Sequence, residues 1–401
     1  MFSPIHRWIK FSLFNLLLIA AIGIILRYKI AYSLPFVDQK HLLHGHSHFA
    51  FSGWISQAIM TLMIAYLAEQ IGPTVYKKYR WVLIGNLFTA YGMLITFPIQ
   101  GYGMWSIIFS TSSIFISYAF VVMYWKDLSR LTTKHIAHWW FKTALLCNAI
   151  SSLGAFALAF MMAEKIIHQT WYLAAQYFYL HFQYNGWFFF SCMGLLNAKI
   201  FFANTSKTLK HIFWFFASAI IPAYFLSALW MDIPLWIYIL VIVAAMAQVI
   251  GWGYMIVLIR KDWLTIKQSF TSNTKWLLIL PAVALTIKLL LQLGSTIPSL
   301  STLAFGFRPI VIGYLHLVLL GIITLFIIGY MFTENLIVIN KKSIVGASIF
   351  SGGIIINEIF LMAQGVAALD YTNIPFINEL LLTAAVIMFI GIALLNFSQI
   401  K

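Results

Sequence analysis

Long apolar runs broken by short polar stretches make up nearly the whole chain. A helix rises about 1.5 Å per residue, so crossing a hydrocarbon core near 30 Å thick takes roughly 20 apolar residues. Twelve runs of that kind begin near Phe11, His44, Trp81, Met104, Thr143, Tyr177, His211, Pro234, Trp276, Pro309, Ser343 and Ile377. They predict an all-α polytopic membrane protein with twelve transmembrane helices. No break is long enough to fold separately, so residues 1–401 read as one membrane domain. Arg7 and Lys10 precede the first run, but no small-residue cleavage pattern follows it, which predicts a retained helix and not a signal peptide.

Composition removes the soluble alternative. Hydrophobic residues make up 62% of the chain and charged ones only 9%, where a water-facing domain carries about a quarter. The 25 Lys and Arg outnumber the 10 Asp and Glu, a balance that in a soluble protein would suggest nucleic acid. Here the basic residues sit in short clusters between apolar runs, the layout of loops on one side of a bilayer, so lipid is the expected partner and nucleic acid is not. With the N-terminus inside, 19 of the 25 fall in inside segments, five (Arg27, Lys29, Lys40, Lys165 and Arg308) fall outside, and Lys288 lies within a span. This bias predicts cytoplasmic N and C termini in a bacterial inner-type membrane. The two cysteines, Cys147 and Cys192, lie in apolar runs and predict neither a disulfide framework nor a cysteine zinc site.

The chain also repeats. Residues 48–54, HFAFSGW, match residues 181–187, HFQYNGW, at four of seven positions, and residues 316–321, HLVLLG, keep the histidine and the glycine. The offsets of 133 and 135 residues are each about a third of 401, predicting three four-helix units near 1–134, 135–269 and 270–401. An even number of spans per unit makes the repeat parallel. His48, His181 and His316 then share one level in the outer part of the membrane, each followed five residues on by Gly53, Gly186 or Gly321. A single intramembrane histidine serves as a polar helix contact or as a ligand; three at one depth point to a site, because polar groups in lipid are costly.

These residues resemble the catalytic subunit of the heme-copper oxidases and the related nitric-oxide reductases, twelve helices in three pseudo-threefold four-helix arcs. The resemblance implies a low-spin heme b held by His316 and by His48 or its neighbour His44, with His181 as the ligand of a second metal. It implies an electron-donor protein or quinol as partner, and either electron transfer or diatomic-gas chemistry or sensing at the heme. Three departures alter the second site. Asn185-Gly186 stands where the reductases carry an acid and glycine, Tyr314 stands where a high-spin heme takes histidine, and the stretch from His211 to Trp230 lacks a histidine pair, offering only Pro222-Ala-Tyr224. Copper or a second heme stays open, with Tyr314 as an iron ligand and His181 as a distal hydrogen-bonding residue one form of it. The NnrS family, heme-binding and also twelve-helix, is similar only in histidine followed by glycine on an apolar helix.

His41, His44, His46 and His48 form a histidine-rich entrance to the second span. His41, His44 and His48 share a helical face. The same cluster suits a histidine-lined transition-metal transporter, the rival class, and a non-catalytic heme protein with a regulatory or assembly role is a third reading. Lys288 needs a counter-charge, with Glu358 or a heme propionate as candidates. Arg308, with its planar fork of donors, is a further propionate candidate. His135 and His138, beside Trp139 and Trp140, read as an interfacial anchor, and His6 and His168 carry no pattern.

Overall fold

A backbone in lipid has no water to bond, so its N–H and C=O groups must pair within their own segment. The structure, a computed structural model, describes residues 4–200, 206–268, 275–301 and 307–400, and meets that requirement with helices, no strand occurring among the described residues. Lys401 and the expected repeat boundary at 269–270 lie outside them. In chain order the helices are α1 Pro4–Ala31, α2 Gln39–Phe49, α3 Gln57–Ile71, α4 Val75–Gln100, α5 Met104–Arg130, α6 Ile136–Ala163, α7 Gln169–His181 and α8 Phe189–Lys199. Then come α9 Ser206–Ala219, α10 Leu235–Lys261, α11 Trp263–Gln268, α12 Trp276–Gly294, α13 Arg308–His316, α14 Leu325–Thr333, α15 Lys341–Leu369 and α16 Ile377–Phe397.

Among the described residues, ten helices are long and apolar enough to cross a bilayer, which makes this a multi-pass integral membrane protein. The expected starts at Met104, Trp276 and Ile377 coincide with helix starts. The runs expected from Tyr177 and His211 are not among the ten. The first forms continuous helix over Gln169–Lys199 but carries Gln183, Asn185 and His181 in its middle. The second is only 14 residues of α-helix (α9) before a 3-10 turn at Pro222–Ser227; proline lacks an N–H and closes the α-helical ladder.

Three helices loosen to π-helix partway along: Ala50–Ser56 joins α2 to α3, Phe182–Phe188 joins α7 to α8, and Leu317–Thr324 joins α13 to α14. Each segment begins within two residues of His48, His181 or His316. π-helix accounts for well under 1% of residues in proteins and gathers at functional sites.

The chain divides into two units, one of Met1–Met123, Trp276–Leu278 and Ile323–Lys401, the other of Tyr124–Lys275 and Ile279–Ile322. In the first, the apolar stretch of Gln39–Ile71 is 78% buried within the protein against 39% for α1 and for α4, so α2–α3 is the inner helix and its neighbours face lipid on one side. Helices α15 and α16 meet backbone to backbone: a Cβ on Gly391 would lie 2.3 Å from the Phe350 nitrogen, and one on Gly346 would lie 2.7 Å from the Leu395 nitrogen. Close approach through small residues is how membrane helices gain contact where no hydrophobic effect drives them together. In the second unit, residues 181–195 are all buried, which makes α7–α8 its inner helix. Trp140 of α6 packs edge-on to Phe213 and tilted against Phe190, and Trp252 of α10 donates to Thr286 Oγ1 of α12 at 2.8 Å.

Candidate functional site

In the first unit the site grows from the start of α2. Asp38 caps this helix by accepting from the His41 backbone N–H at 2.8 Å, and that bond holds its carboxyl below the usual carboxylate range. The His41 ring presses on Gly101, where φ is +58° and a Cβ would fall 2.5 Å from His41 Nε2. One turn on, His44 meets the edge of Tyr102 at 4.7 Å, and its Nε2 is buried with no hydrogen-bond partner among the described residues. His48 stacks on Phe97 at 4.4 Å and 8°, with Nε2 3.3 Å from the Tyr102 hydroxyl. Two imidazoles on one helical face thus share one aromatic wall.

The π segment behind them is braced by amides. Asn15 Nδ2 of α1 donates to the Gly53 carbonyl at 2.5 Å, and Tyr91 donates to Asn15 Oδ1 at 2.6 Å. Asn86 Nδ2 of α4 donates to the Ser52 carbonyl at 2.9 Å and to Gln57 Oε1 at 2.8 Å. A π turn misaligns the helical ladder, and these donors satisfy carbonyls that lipid would leave bare. At Gly53 itself a Cβ would meet the ring of Phe49 in the same helix at 2.6 Å.

In the second unit His181 is 1% exposed and fully engaged. Its Nε2 lies 2.7 Å from the Ile220 carbonyl and its Nδ1 lies 3.2 Å from Asn185 Nδ2. The consistent tautomer has Nε2–H donating to Ile220 and Nδ1 accepting from Asn185. Asn185 is the hub: the Tyr314 side chain interacts with it and with Tyr184, whose ring centre is 6.3 Å from that of Tyr314. Asn185 also lines a small cavity with Lys288 and Gln248. Three residues singled out from the sequence, His181, Tyr314 and Lys288, therefore gather round one asparagine. Gly186 allows this packing in the way its spacing predicts, since a Cβ there would lie 2.5 Å from the Cβ of Cys147 on α6.

His316, at the end of α13, is half-buried, and its Nδ1 is 2.8 Å from the Ile312 carbonyl. Only a protonated Nδ1 can bond a carbonyl, so the lone pair of the neutral ring is on Nε2. Arg308 is exposed at the first turn of α13. Lys288 has neither a hydrogen bond nor an ion pair with any described residue, while Glu358, its expected counter-charge, faces Arg27 within the first unit and accepts from Asn357 at 3.0 Å. Among the described residues no group of three or more His, Cys, Asp or Glu converges as a metal-binding set.

Asn15, Asn86, Asn148 and Gln183 escape a reading that follows ionisable residues. A signal for two of them was present: Asn15 and Asn148 stand 133 residues apart, the spacing of His48 and His181. Asn148 Oδ1 accepts from Gln183 Nε2 at 3.1 Å, and Ser151 Oγ accepts from the same amide at 2.7 Å. No protein-family model and no curated protein matches the chain.

Proposed function

We propose that this membrane protein binds a b-type heme, for which His316 and, taken separately, His44 or His48 would be the residues that hold the iron. The observation that carries the reading is the 2.8 Å bond from His316 Nδ1 to the Ile312 carbonyl. Histidines that ligate metals commonly donate their other ring N–H to a carbonyl in this way, which fixes the tautomer and strengthens Nε2 as a donor. The buried, unbonded Nε2 of His44 adds a second imidazole nitrogen suited to iron. When bound, a heme would supply one-electron transfer, and electron transfer from a quinol or a donor protein is the proposed role.

The same residues fit a second metal poorly. Both ring nitrogens of His181 are engaged within the protein, and the Tyr314 side chain is occupied by Asn185 and Tyr184. A copper or non-heme iron wants three or more N or O donors. The second site is therefore proposed as lost, its histidine turned into a structural contact.

Twelve spans in three parallel arcs, with cytoplasmic termini in a bacterial inner-type membrane, complete the proposal. The π segment that follows each of His48, His181 and His316 supports the repeat. The test is a reduced-minus-oxidised spectrum of the purified chain. Paired b-type bands that vanish in His316→Ala and persist in His181→Ala are expected. A folded, heme-free protein that instead copurifies with a transition metal would overturn the reading in favour of a transporter.

A further inference from the structure

Lys288 is 5% exposed on α12, in a segment with mean hydropathy of 2.1. An ammonium at such a depth needs an opposite charge or a polar solvent, because lipid and apolar side chains supply neither. The second unit offers no acid for the purpose: no carboxylate acts on Lys288, and it makes no hydrogen bond to a described residue. Instead its side chain borders a cavity shared with Gln248 and Asn185 and walled by Phe189, Phe190 and Phe216. The space open to the centre of a water-sized sphere is about 10 Å³, room for a single small body.

The lining carries one cation and no acid. Gln248 is 7% exposed and has no hydrogen bond to a described residue, so its amide can turn its N–H groups to the cavity. Asn185 gives one N–H to His181 Nδ1 at 3.2 Å and its amide also meets the Tyr314 side chain, so it borders the cavity as a dipole shared with those partners. The Lys288 ammonium and the Gln248 amide can thus present donors, and the three rings shut out larger or strongly hydrated ligands. A cation finds no carboxylate in the lining.

We propose that this cavity binds one monoatomic anion of the halide class, held by Lys288 and Gln248 beside Asn185, as the counter-charge to the lysine. The ion neutralises Lys288 in place and joins α12 to α10 beside the Phe182–Phe188 segment. Lysine and glutamine reach the cavity with the far ends of flexible side chains, which lets it fit chloride or bromide by shifts of a few tenths of an ångström. Neither Lys288 nor Gln248 is a proposed ligand to iron.

Chloride and bromide are the probes, compared with gluconate at equal ionic strength on the purified full chain in detergent. The expected result is a melting temperature that rises and saturates with either halide and stays flat with gluconate. Lys288→Met should abolish the halide response and stay folded, because methionine fills the same volume without charge. Gln248→Leu should raise the half-saturating halide concentration about tenfold, the loss of one hydrogen bond to an ion. Bromide should give an anomalous diffraction peak in the cavity. Equal melting in halide and gluconate, a halide response that survives Lys288→Met, or a lone water in the cavity of bromide-soaked crystals would each overturn the proposal.

Discussion

The helix around His48 and the helix around His181 share a motif and put it to different uses. Both carry histidine, phenylalanine, glycine and tryptophan in the same places, and both loosen into a π segment just beyond the histidine. His48 keeps its ring against Phe97 and Tyr102, and His44 beside it has a buried nitrogen with no hydrogen-bond partner among the described residues. His181 is closed on both sides by Ile220 and Asn185. The difference lies at the fourth residue after the histidine. Ser52 turns its hydroxyl back to the His48 carbonyl at 2.6 Å, whereas Asn185 is long enough to reach the His181 ring. The amide engages the His181 ring where the hydroxyl engages the His48 backbone.

The sharpest way to break this comparison is at the glycines. Gly186→Val drives a side chain into the Cys147 Cβ and should destabilise the protein by about 3 kcal/mol or prevent folding. Gly53→Val meets the ring of Phe49, which can turn aside, and should cost clearly less; equal losses in thermal melting would show that the two helices pack alike. His181→Leu comes next, at about 2 kcal/mol, because the Ile220 carbonyl and the Asn185 amide lose their partner. Its b-type bands should survive, whereas either His44→Ala or His48→Ala should lose them with little change in melting. Asn15→Leu strips the donor from the Gly53 carbonyl and should cost about 1 kcal/mol, with Tyr91→Phe adding little once Asn15 is gone, a coupling that a double-mutant cycle reads directly.

The smallest effect concerns acid. The Asp38 carboxyl titrates lower when folded than unfolded, because it accepts the His41 N–H. Its stabilisation of α2 is therefore complete above the ordinary carboxylate value near ~4 and drains away as pH falls through the lower folded value. Asp38→Asn keeps a cap and should remove that acid-dependent step from the melting profile, and a step that persists would assign it to another carboxylate.

The spans were largely legible because length and hydropathy are summed over twenty residues and tolerate local exceptions. Met104 and Trp276 begin helices where the apolar runs begin. The histidine and glycine repeat was legible as well, since identity at fixed offsets needs no geometry. Hydrogen-bond register was not: nothing in HFAFSGW distinguishes an α-helix from a π-helix, because both need the same apolar content. The counter-charge of Lys288 was also out of reach. Glu358 was the one acid in the middle of an apolar run, but Arg27, counted among the outside charges, is the cation that faces it. The brevity of α9 follows from Pro222, whose effect on the run from His211 a hydropathy sum does not register.

The π segments have a consequence in angle as well as in hydrogen bonding. An α-helix turns about 100° per residue, so a π turn, which accommodates an extra residue, shifts the phase of everything downstream. In α2–α3 the face that carries His41, His44 and His48 is thereby set independently of the face that α3 buries with Met60, Met63 and Leu67. A chain with one residue deleted from Ala50–Ser56 would regain a continuous α-helix and swing the histidines about a quarter-turn away from Phe97. The loosened turn is a hinge in rotation, fixed once at synthesis, that lets one helix answer to two different sets of neighbours.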